Sequence, residues 1–391
     1  MKILFLLNSE ISREQRIGKE IQALANAGHE IVLLELPPQD HVGPHGDAPC
    51  EVQSIDIWTR KLPRNLLFWP FKFIEMTLRF LIIGSRFKLD LIHCVDRMPL
   101  LAAFLLACKH KMPYVYYSQE IHSEVNSSAN RPRWLWLRLE RFLAYRACRV
   151  LVTDHFRLDL TAEILQLEKS RMHVLMSLPR IPTPHTVVRP LRMDCPWPDA
   201  KIAVYAGGIS PQRHLEDIIA ALVFLPPNYV IAIVGFGSED YKSSLGSLAA
   251  QLGVSDRMII LPAVKWSDLP AYIKSADCAF AFYEKNSLNN FYCSPSKLFD
   301  ALMAGLPVVG SDNPLIVEVL HENDLGACVA EVSPRSIADA VESILSRSDL
   351  SDMKARAATL ARTKYSWNQY ESDFVRFYGQ IKDDKTKVRI A

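Results

Sequence analysis

No two of the eight cysteines in this 391-residue chain form a Cys-x-x-Cys pair, and most lie in apolar stretches such as CAFAFY and LLACKHK. That scatter fits neither a zinc ligand set nor a disulfide framework. It suits a reducing compartment, where free cysteine behaves as a small hydrophobe. No run approaches the roughly 18 apolar residues a membrane span requires. The opening MKILFLLNSE turns polar at Asn8 and Glu10, too early for a signal peptide, so a buried first strand in a cytoplasmic protein is expected. Charge of one sign is also lacking: a net +2 gives no concentrated basic surface for a nucleic-acid backbone. There is no Asp-x-Asp triplet, and Gly235-Phe236-Gly237 reaches Asp240 where a dinucleotide fingerprint needs its third glycine. His41 and His45, in DHVGPHGDAPC, lie in a Gly/Pro-rich loop without a fixed ligand set, so no metal site is expected.

What is present is a strict alternation of apolar strands and helical stretches. Ile3 to Leu7 form an apolar run, Ile17, Ile21 and Leu24 recur at helical spacing, Gly28 supplies a stop, and IVLLEL follows. DLIHCV, YVYYS, RVLVTD and HVLMS continue the series. After a connector with six prolines between Pro179 and Pro198 it restarts with IAVYAG, YVIAIVG, MIILPA, CAFAFY, PVVGSD and GACVAEV. Continuous apolar strands separated by helices imply parallel sheets covered on both faces. The expected fold class is α/β: two doubly wound Rossmann-like domains facing a cleft. The first spans 1–185 with a C-terminal helix from 366 packing back on it, and the second spans 186–365. That last helix carries Trp367, Tyr370, Phe374, Phe377 and Tyr378, an aromatic stripe that must be covered.

In such sheets ligands bind beyond the carboxyl ends of the strands, so the residues following each strand are the site candidates. Gly207-Gly208 and Arg213 follow IAVYA; glycines admit close backbone approach, and a cation beside a helix start suits phosphate. An ordinary strand-to-helix turn would look the same. Gly235 and Gly237 follow YVIAIV and read equally well as a tight turn. The strongest segment is SPSKLFDALMAGLPVVGSD, where Ser294, Ser296 and Lys297 precede an apolar helix whose first N–H groups would form an anion cradle. Asp300, one turn on, is placed to accept from ribose hydroxyls, or alternatively serves only as a charge near a helix start.

Taken together, YAGGISPQRHLEDIIAAL, IAIVGFGSED, WSDLPAYIKSADCAFAFY, SPSKLFDALMAGLPVVGSD and the closing YSW resemble, in order and spacing, the nucleotide-sugar domain of glycosyltransferase family 4. AGHEIVLL, DLIHCVD and YYSQEIHSE resemble a subset of the same family in the first half. The resemblance implies a GT-B fold and retaining, metal-independent transfer from a nucleotide-diphosphate-sugar, with no cofactor beyond that donor substrate. It also implies work in polysaccharide biosynthesis. It matches Arg213 to the cation on the donor diphosphate. The family's second cation, just after the glycine, is replaced by Gly208, which makes Lys297 the candidate substitute. In the family's Glu-x7-Glu motif the second glutamate aligns with Asp300 and the first with Tyr292. Gln119 stands where such relatives often carry histidine, while His93 and Asp96 match their strand-end motif. In a retaining front-face reaction the departing phosphate can take the acceptor proton, so Arg213, Lys297 and the helix-tip N–H groups would do most of the work.

The acceptor, a glycan or a lipid-linked molecule, is expected on the first domain near Arg16, His93, Asp96 and Gln119. Residues 57–88 mix seven Arg or Lys with Trp58, Phe68, Trp69, Phe71, Phe73, Phe80 and Phe87, and residues 131–149 repeat the mixture. Such segments fit a helix lying in an anionic membrane surface on the inner membrane face. They also fit a core helix with snorkelling cations, which is preferred. Three other readings stay open: a weakly active or inactive relative serving as an assembly partner, motivated by Tyr292 and Gln119; a nucleotide-sugar epimerase; and a dinucleotide oxidoreductase. The last two lack the poised carboxylates and histidines, or the complete glycine fingerprint, that each needs.

Overall fold

The computed structural model describes residues 1–36, 49–63, 68–121, 133–182 and 188–383. It divides into two compact units, one comprising Met1–Met176 with the residues from Tyr370 on, the other Ser177–Gln369. The chain therefore passes into the second unit nine residues earlier than the proline content suggests, and returns inside the last helix.

The first unit contains β1 (Lys2–Leu6), α1 (Gln15–Asn26), β2 (Glu30–Glu35), β3 (Glu51–Ser54), α2 (Trp69–Gly84) and β4 (Leu91–Val95). It continues with α3 (Leu100–His110), β5 (Tyr114–Ser118), α4 (Arg133–Arg146), β6 (Arg149–Val152), α5 (His155–Leu165) and β7 (Met172–Val174). The strands form one parallel sheet in the order β3-β2-β1-β4-β5-β6-β7. β1, β4 and β5 have almost no exposed residue, which is why they read as unbroken apolar runs. β3, with the sequence EVQS on the sheet edge, is mostly exposed and carries no such signal. α1 buries Ile17, Ile21 and Leu24 and stops at Gly28, whose φ of 81° lies in the left-handed region glycine tolerates.

The second unit contains β8 (Lys201–Ala206), α6 (Leu215–Ala221), β9 (Tyr229–Val234), α7 (Glu239–Gln251), β10 (Met258–Leu261), α8 (Leu269–Ile273) and β11 (Cys278–Ala281). After these come α9 (Leu288–Phe291), α10 (Ser296–Met303), β12 (Val308–Ser311), α11 (Pro314–Asn323), β13 (Gly326–Val329), α12 (Pro334–Leu345) and α13 (Leu350–Thr363). Its parallel sheet runs β10-β9-β8-β11-β12-β13. Each sheet reverses its strand order at one place, between β1 and β4 in the first and between β8 and β11 in the second. Loops diverge at such a switch point and leave room for a ligand.

The chain ends in α14 (Trp367–Asp383). From Tyr370 on it belongs to the first unit, where the Phe377 ring stacks on His173 at 4.8 Å and Tyr378 is fully buried against His93, whereas Trp367, the first ring of the aromatic stripe, lies in the second. All eight cysteines are free thiols.

Candidate anion site at the second switch point

The site in the second unit is assembled from the segments after β8, β9 and β11. Gly207 ends β8 at φ 148°, and a β-carbon there would meet Cε of Lys297 at 2.4 Å. Gly235 and Gly237, after β9, pack on the same loop. A β-carbon at Gly235 would lie 1.8 Å from the Gly207 carbonyl oxygen, and one at Gly237 2.5 Å from that of Ile209. These three glycines let two strand-end loops and the Lys297 side chain stack without clearance. Gly208 differs: the nearest atoms to a β-carbon there belong to the Phe236 ring at 3.9 Å, so the position has room for a side chain and carries none.

Arg213 and Lys297 converge on Tyr283, which follows β11. The Arg213 guanidinium carbon is 4.5 Å from the Tyr283 ring centroid and the Lys297 ammonium 4.6 Å. Lys297 Nζ donates to the Tyr283 hydroxyl at 3.2 Å and lies 5.4 Å from the Tyr205 ring. Arg213 Nη1 is buried without a hydrogen-bond partner, and among the described residues neither cation has a carboxylate within ion-pair distance. Burial, then the neighbouring Arg213 charge, push the Lys297 ammonium down to about 7. Two adjacent cations resting on aromatic faces, with no carboxylate in ion-pair contact among the described residues, are an arrangement that can hold an anion, whose arrival would offset their mutual repulsion.

The framework behind these side chains comes from residues that sequence reading did not single out. The Tyr283 N–H donates to Ser311 Oγ at 3.0 Å, and Ser311 Oγ donates to the fully buried Asn313. Asn313 Nδ2 in turn donates to the carbonyls of Asn290 and Phe291, both at 3.0 Å. One amide after β12 thus fixes both the end of β11 and the short α9 that delivers Tyr292, whose ring packs edge-on against Phe291. Asn313 follows directly on the apolar PVVGSD strand, but only the fold brings it to residues 290–291.

Two expectations need correction. The turn carrying Arg213 is a three-residue 3-10 turn, and the α6 that follows opens with Glu216 and Asp217. Those charges oppose an anion at its tip, so the guanidinium rather than that helix end is the feature suited to phosphate. α10 begins at Ser296 with Pro295 as its N-cap residue, so Ser294 lies outside the helix and Pro295 supplies no N–H. Ser296 and Lys297 occupy its first turn, where backbone N–H groups have no intrahelical acceptor. Asp300 is nearly buried, and its charge acts on Lys297.

In the first unit, Arg16, Asp96 and Gln119 gather at the β1/β4 switch point. Arg16 Nη1 donates to the Tyr117 hydroxyl at 3.4 Å, while its Nε is buried with no hydrogen-bond partner among the described residues. Asp96, at φ 63°, accepts from the N–H groups of Gln119 and Glu120 at 3.1 and 3.2 Å, so its carboxylate shapes the turn after β5. The Gln119 Nε2 is buried with no hydrogen-bond partner among the described residues, and the Gln119 backbone carbonyl accepts from Arg157. His93 does not belong on an acceptor surface. It is fully buried, stacks on Phe5 at 4.4 Å and bonds through Nδ1 to the Tyr378 hydroxyl. It serves to anchor α14. His41 and His45 lie outside the described residues.

Beside His93 sits Glu20, also with no exposed surface; its carboxylate is 3.7 Å from His93 Nε2, and neither of its oxygens has a hydrogen-bond partner among the described residues. Burial pushes the Glu20 carboxyl up to about 8 and the His93 imidazole down to about 3, so both are neutral at pH 7. For Glu20 the folded value lies above the unfolded one. Its stabilising contribution is complete below about pH 4.5 and is lost as pH rises through about 8. Glu20→Gln, which cannot ionise, should therefore gain on the parent with rising pH, by roughly 1.4 kcal/mol per unit between about pH 5 and 8. Thermal melts of both proteins across that range check this; parallel curves would mean that Glu20 is charged in the folded state.

Family models match most of the chain: "Glycosyl transferase 4-like domain" over residues 14–176 and "Glycosyl transferases group 1" over residues 196–362. An uncharacterised glycosyltransferase of Methanocaldococcus jannaschii is 24% identical over 386 residues, covering 91% of each chain. A phosphatidyl-myo-inositol mannosyltransferase of Mycobacterium leprae is 26% identical over 169 residues, 41% of this chain and 40% of that protein. Among solved structures, Anabaena HepE in complex with UDP and glucose superposes with a TM-score of 0.73 at 16% identity, over 98% of this chain and all of that one. Two parallel-sheet α/β units in this topology are the GT-B fold.

Proposed function

Because the chain belongs to the group 1 and 4-like glycosyl transferases and is a GT-B transferase enzyme, we propose that it moves a hexose from a UDP-sugar to a glycan or lipid-linked acceptor, with retention and without a metal ion. The observation that carries the donor half is the pair Arg213 and Lys297 on the Tyr283 ring, two cations at a sheet switch point with no carboxylate in ion-pair contact among the described residues. Departure of a nucleoside diphosphate develops charge on its terminal phosphate oxygen, and fixed cations with first-turn N–H groups of α10 lower that barrier. They occupy the role a divalent ion would otherwise fill. HepE holding UDP and glucose on the same fold supports a uridine donor, and the mycobacterial relative's phosphatidyl-inositol acceptor supports a lipid-linked one.

The acceptor hydroxyl approaches Arg16 and Gln119, whose buried Nε and Nε2 donors have no hydrogen-bond partner among the described residues. No protein base is required if the leaving phosphate takes the hydroxyl proton. A lipid-linked acceptor places the enzyme at the cytoplasmic face of a membrane; no described helix is long and apolar enough to cross one. The test is a thermal-shift screen of UDP-, GDP- and ADP-sugars, followed by transfer to membrane extract with and without chelator. A UDP-sugar should stabilise the protein and yield a product of unchanged anomeric configuration, insensitive to the chelator. Stabilisation by none of the three donor classes, or a product of inverted configuration, would sink the reading.

A further inference from the structure

We infer that the outward face of α2, α3 and α4 is a docking surface for an anionic lipid bilayer. The inference extends the membrane-side part of the proposed function and rests on it for its purpose; the surface itself is read from side chains. α2 is apolar on both sides. Phe73, Met76 and Phe80 enter the core, as the core-helix reading required, yet Phe71, Ile74, Leu78 and Ile82 are 58, 53, 50 and 59% exposed. Their spacing of three, four and four residues puts them on one narrow stripe facing water. A core helix needs only its inner stripe apolar, so the outer one has no folding role.

The stripe continues across neighbouring helices. α3 packs against both α2 and α4, and the rings of Trp69 and Phe73 lie 4.5 and 5.0 Å from Trp136 of α4, locking the group together. On α4 the exposed large apolar residues are Trp134 at 61%, Leu135 at 52%, Phe142 at 46% and Tyr145 at 46%, within about a third of the helix circumference. Trp58, 77% exposed, lies in the turn that packs against α2. Monomeric soluble proteins rarely leave so many large apolar side chains open on adjoining helices without a partner.

Charge selects the partner. Two cations lie on these aromatics, Arg138 over the Trp134 ring at 5.1 Å and Arg146 over Phe142 at 5.1 Å, and α3 adds an exposed Lys109 in its last turn. The acids of the same helices are turned to other work. Glu75 accepts from the N–H groups of Trp58 and Thr59 and from Arg79, and Glu140 is 5% exposed and bonded to the Tyr116 hydroxyl. The face is therefore positive as well as apolar. Two copies of it would repel, whereas a bilayer with anionic headgroups accepts both features, with rings at headgroup depth and cations against phosphates.

The experiment is flotation of the purified full chain with phosphatidylcholine vesicles, with and without about one third phosphatidylglycerol, at low and high salt. The chain should bind the anionic vesicles at least ~10-fold more than the neutral ones, and salt should erase the difference. Phe71→Ser with Leu78→Ser should lower binding by ~10-fold or more, and Arg138→Glu with Arg146→Glu should abolish the preference for phosphatidylglycerol. Phe71, Leu78 and Arg138 are exposed and Arg146 is half-buried, so the melting temperature and donor-induced thermal shift of both variants are measured alongside, and a variant that keeps both parental values reports on docking rather than on unfolding. Wild-type protein that fails to float, or floats no better than the Phe71→Ser, Leu78→Ser variant, overturns the proposal. So does a dimer in solution that the same variant dissociates while no vesicle binding is seen. Transfer to a water-soluble acceptor should survive in the docking variants. If that transfer is absent from the wild type while vesicles bind, it is the transferase reading that fails and the surface that stands.

Discussion

Arg213→Ala should lower turnover of the donor sugar by about 10²- to 10³-fold, the range typical for removing one preorganised charge donor from a developing oxyanion. The guanidinium rests on Tyr283 with Nη1 buried and unpaired, so its hydrogen-bonding capacity is kept for a ligand rather than for the fold. Stability should therefore change little, and the loss should appear in kcat/KM measured by release of nucleoside diphosphate. Arg213→Lys should recover part of it, since charge is restored without the planar fork. Turnover in Arg213→Ala within threefold of the parent would remove the donor site from this location.

The second large effect is on pH. Burial and the adjacent guanidinium hold the Lys297 ammonium at about 7 in the free protein, so near neutrality about half the molecules carry a neutral amine. A diphosphate binds the protonated form and returns the group toward its ordinary value. Donor binding above pH 7 must then take up one proton, and Kd should rise up to about tenfold for each pH unit beyond 7, while staying flat below it. A nucleotide-sugar is the right probe because its esterified diphosphate has no ionisation of its own in this range. Calorimetry in buffers of different ionisation enthalpy reads the proton directly. Lys297→Met should bind weakly with a flat profile, and Lys297→Arg should bind at pH 9 as at pH 7. Wild-type affinity independent of pH between 7 and 9 would show that this lysine is already fully charged in the free protein.

Much of the architecture was legible because both sheets are parallel and doubly covered: strands such as YVIAIV and IAVYA are buried along nearly their whole length. β3 escaped because an edge strand of sequence EVQS is mostly solvated and carries no apolar signature. Glycines and cations of the anion site were readable from their positions after strands. Tyr283, Ser311 and Asn313 were not, since their roles come from contacts between loops that only the fold brings together. His93 misled for a related reason: a histidine at a strand end looks functional until the helix that covers it, far along the chain, is placed. On α2 the preferred core-helix reading fits Phe73, Met76 and Phe80, yet Phe71, Ile74, Leu78 and Ile82 are apolar and exposed as well.

The path of the chain has a consequence for how the protein is made. β1 to β7 emerge from the ribosome with the whole of the second unit still to be synthesised, and α14, which buries Phe374, Phe377 and Tyr378 in the first unit, comes after it. Until then the surface around His93 and His173 waits uncovered, so the nascent first unit is the aggregation-prone intermediate. The continuous segment 177–369 needs no such late arrival and is the half expected to fold when expressed alone.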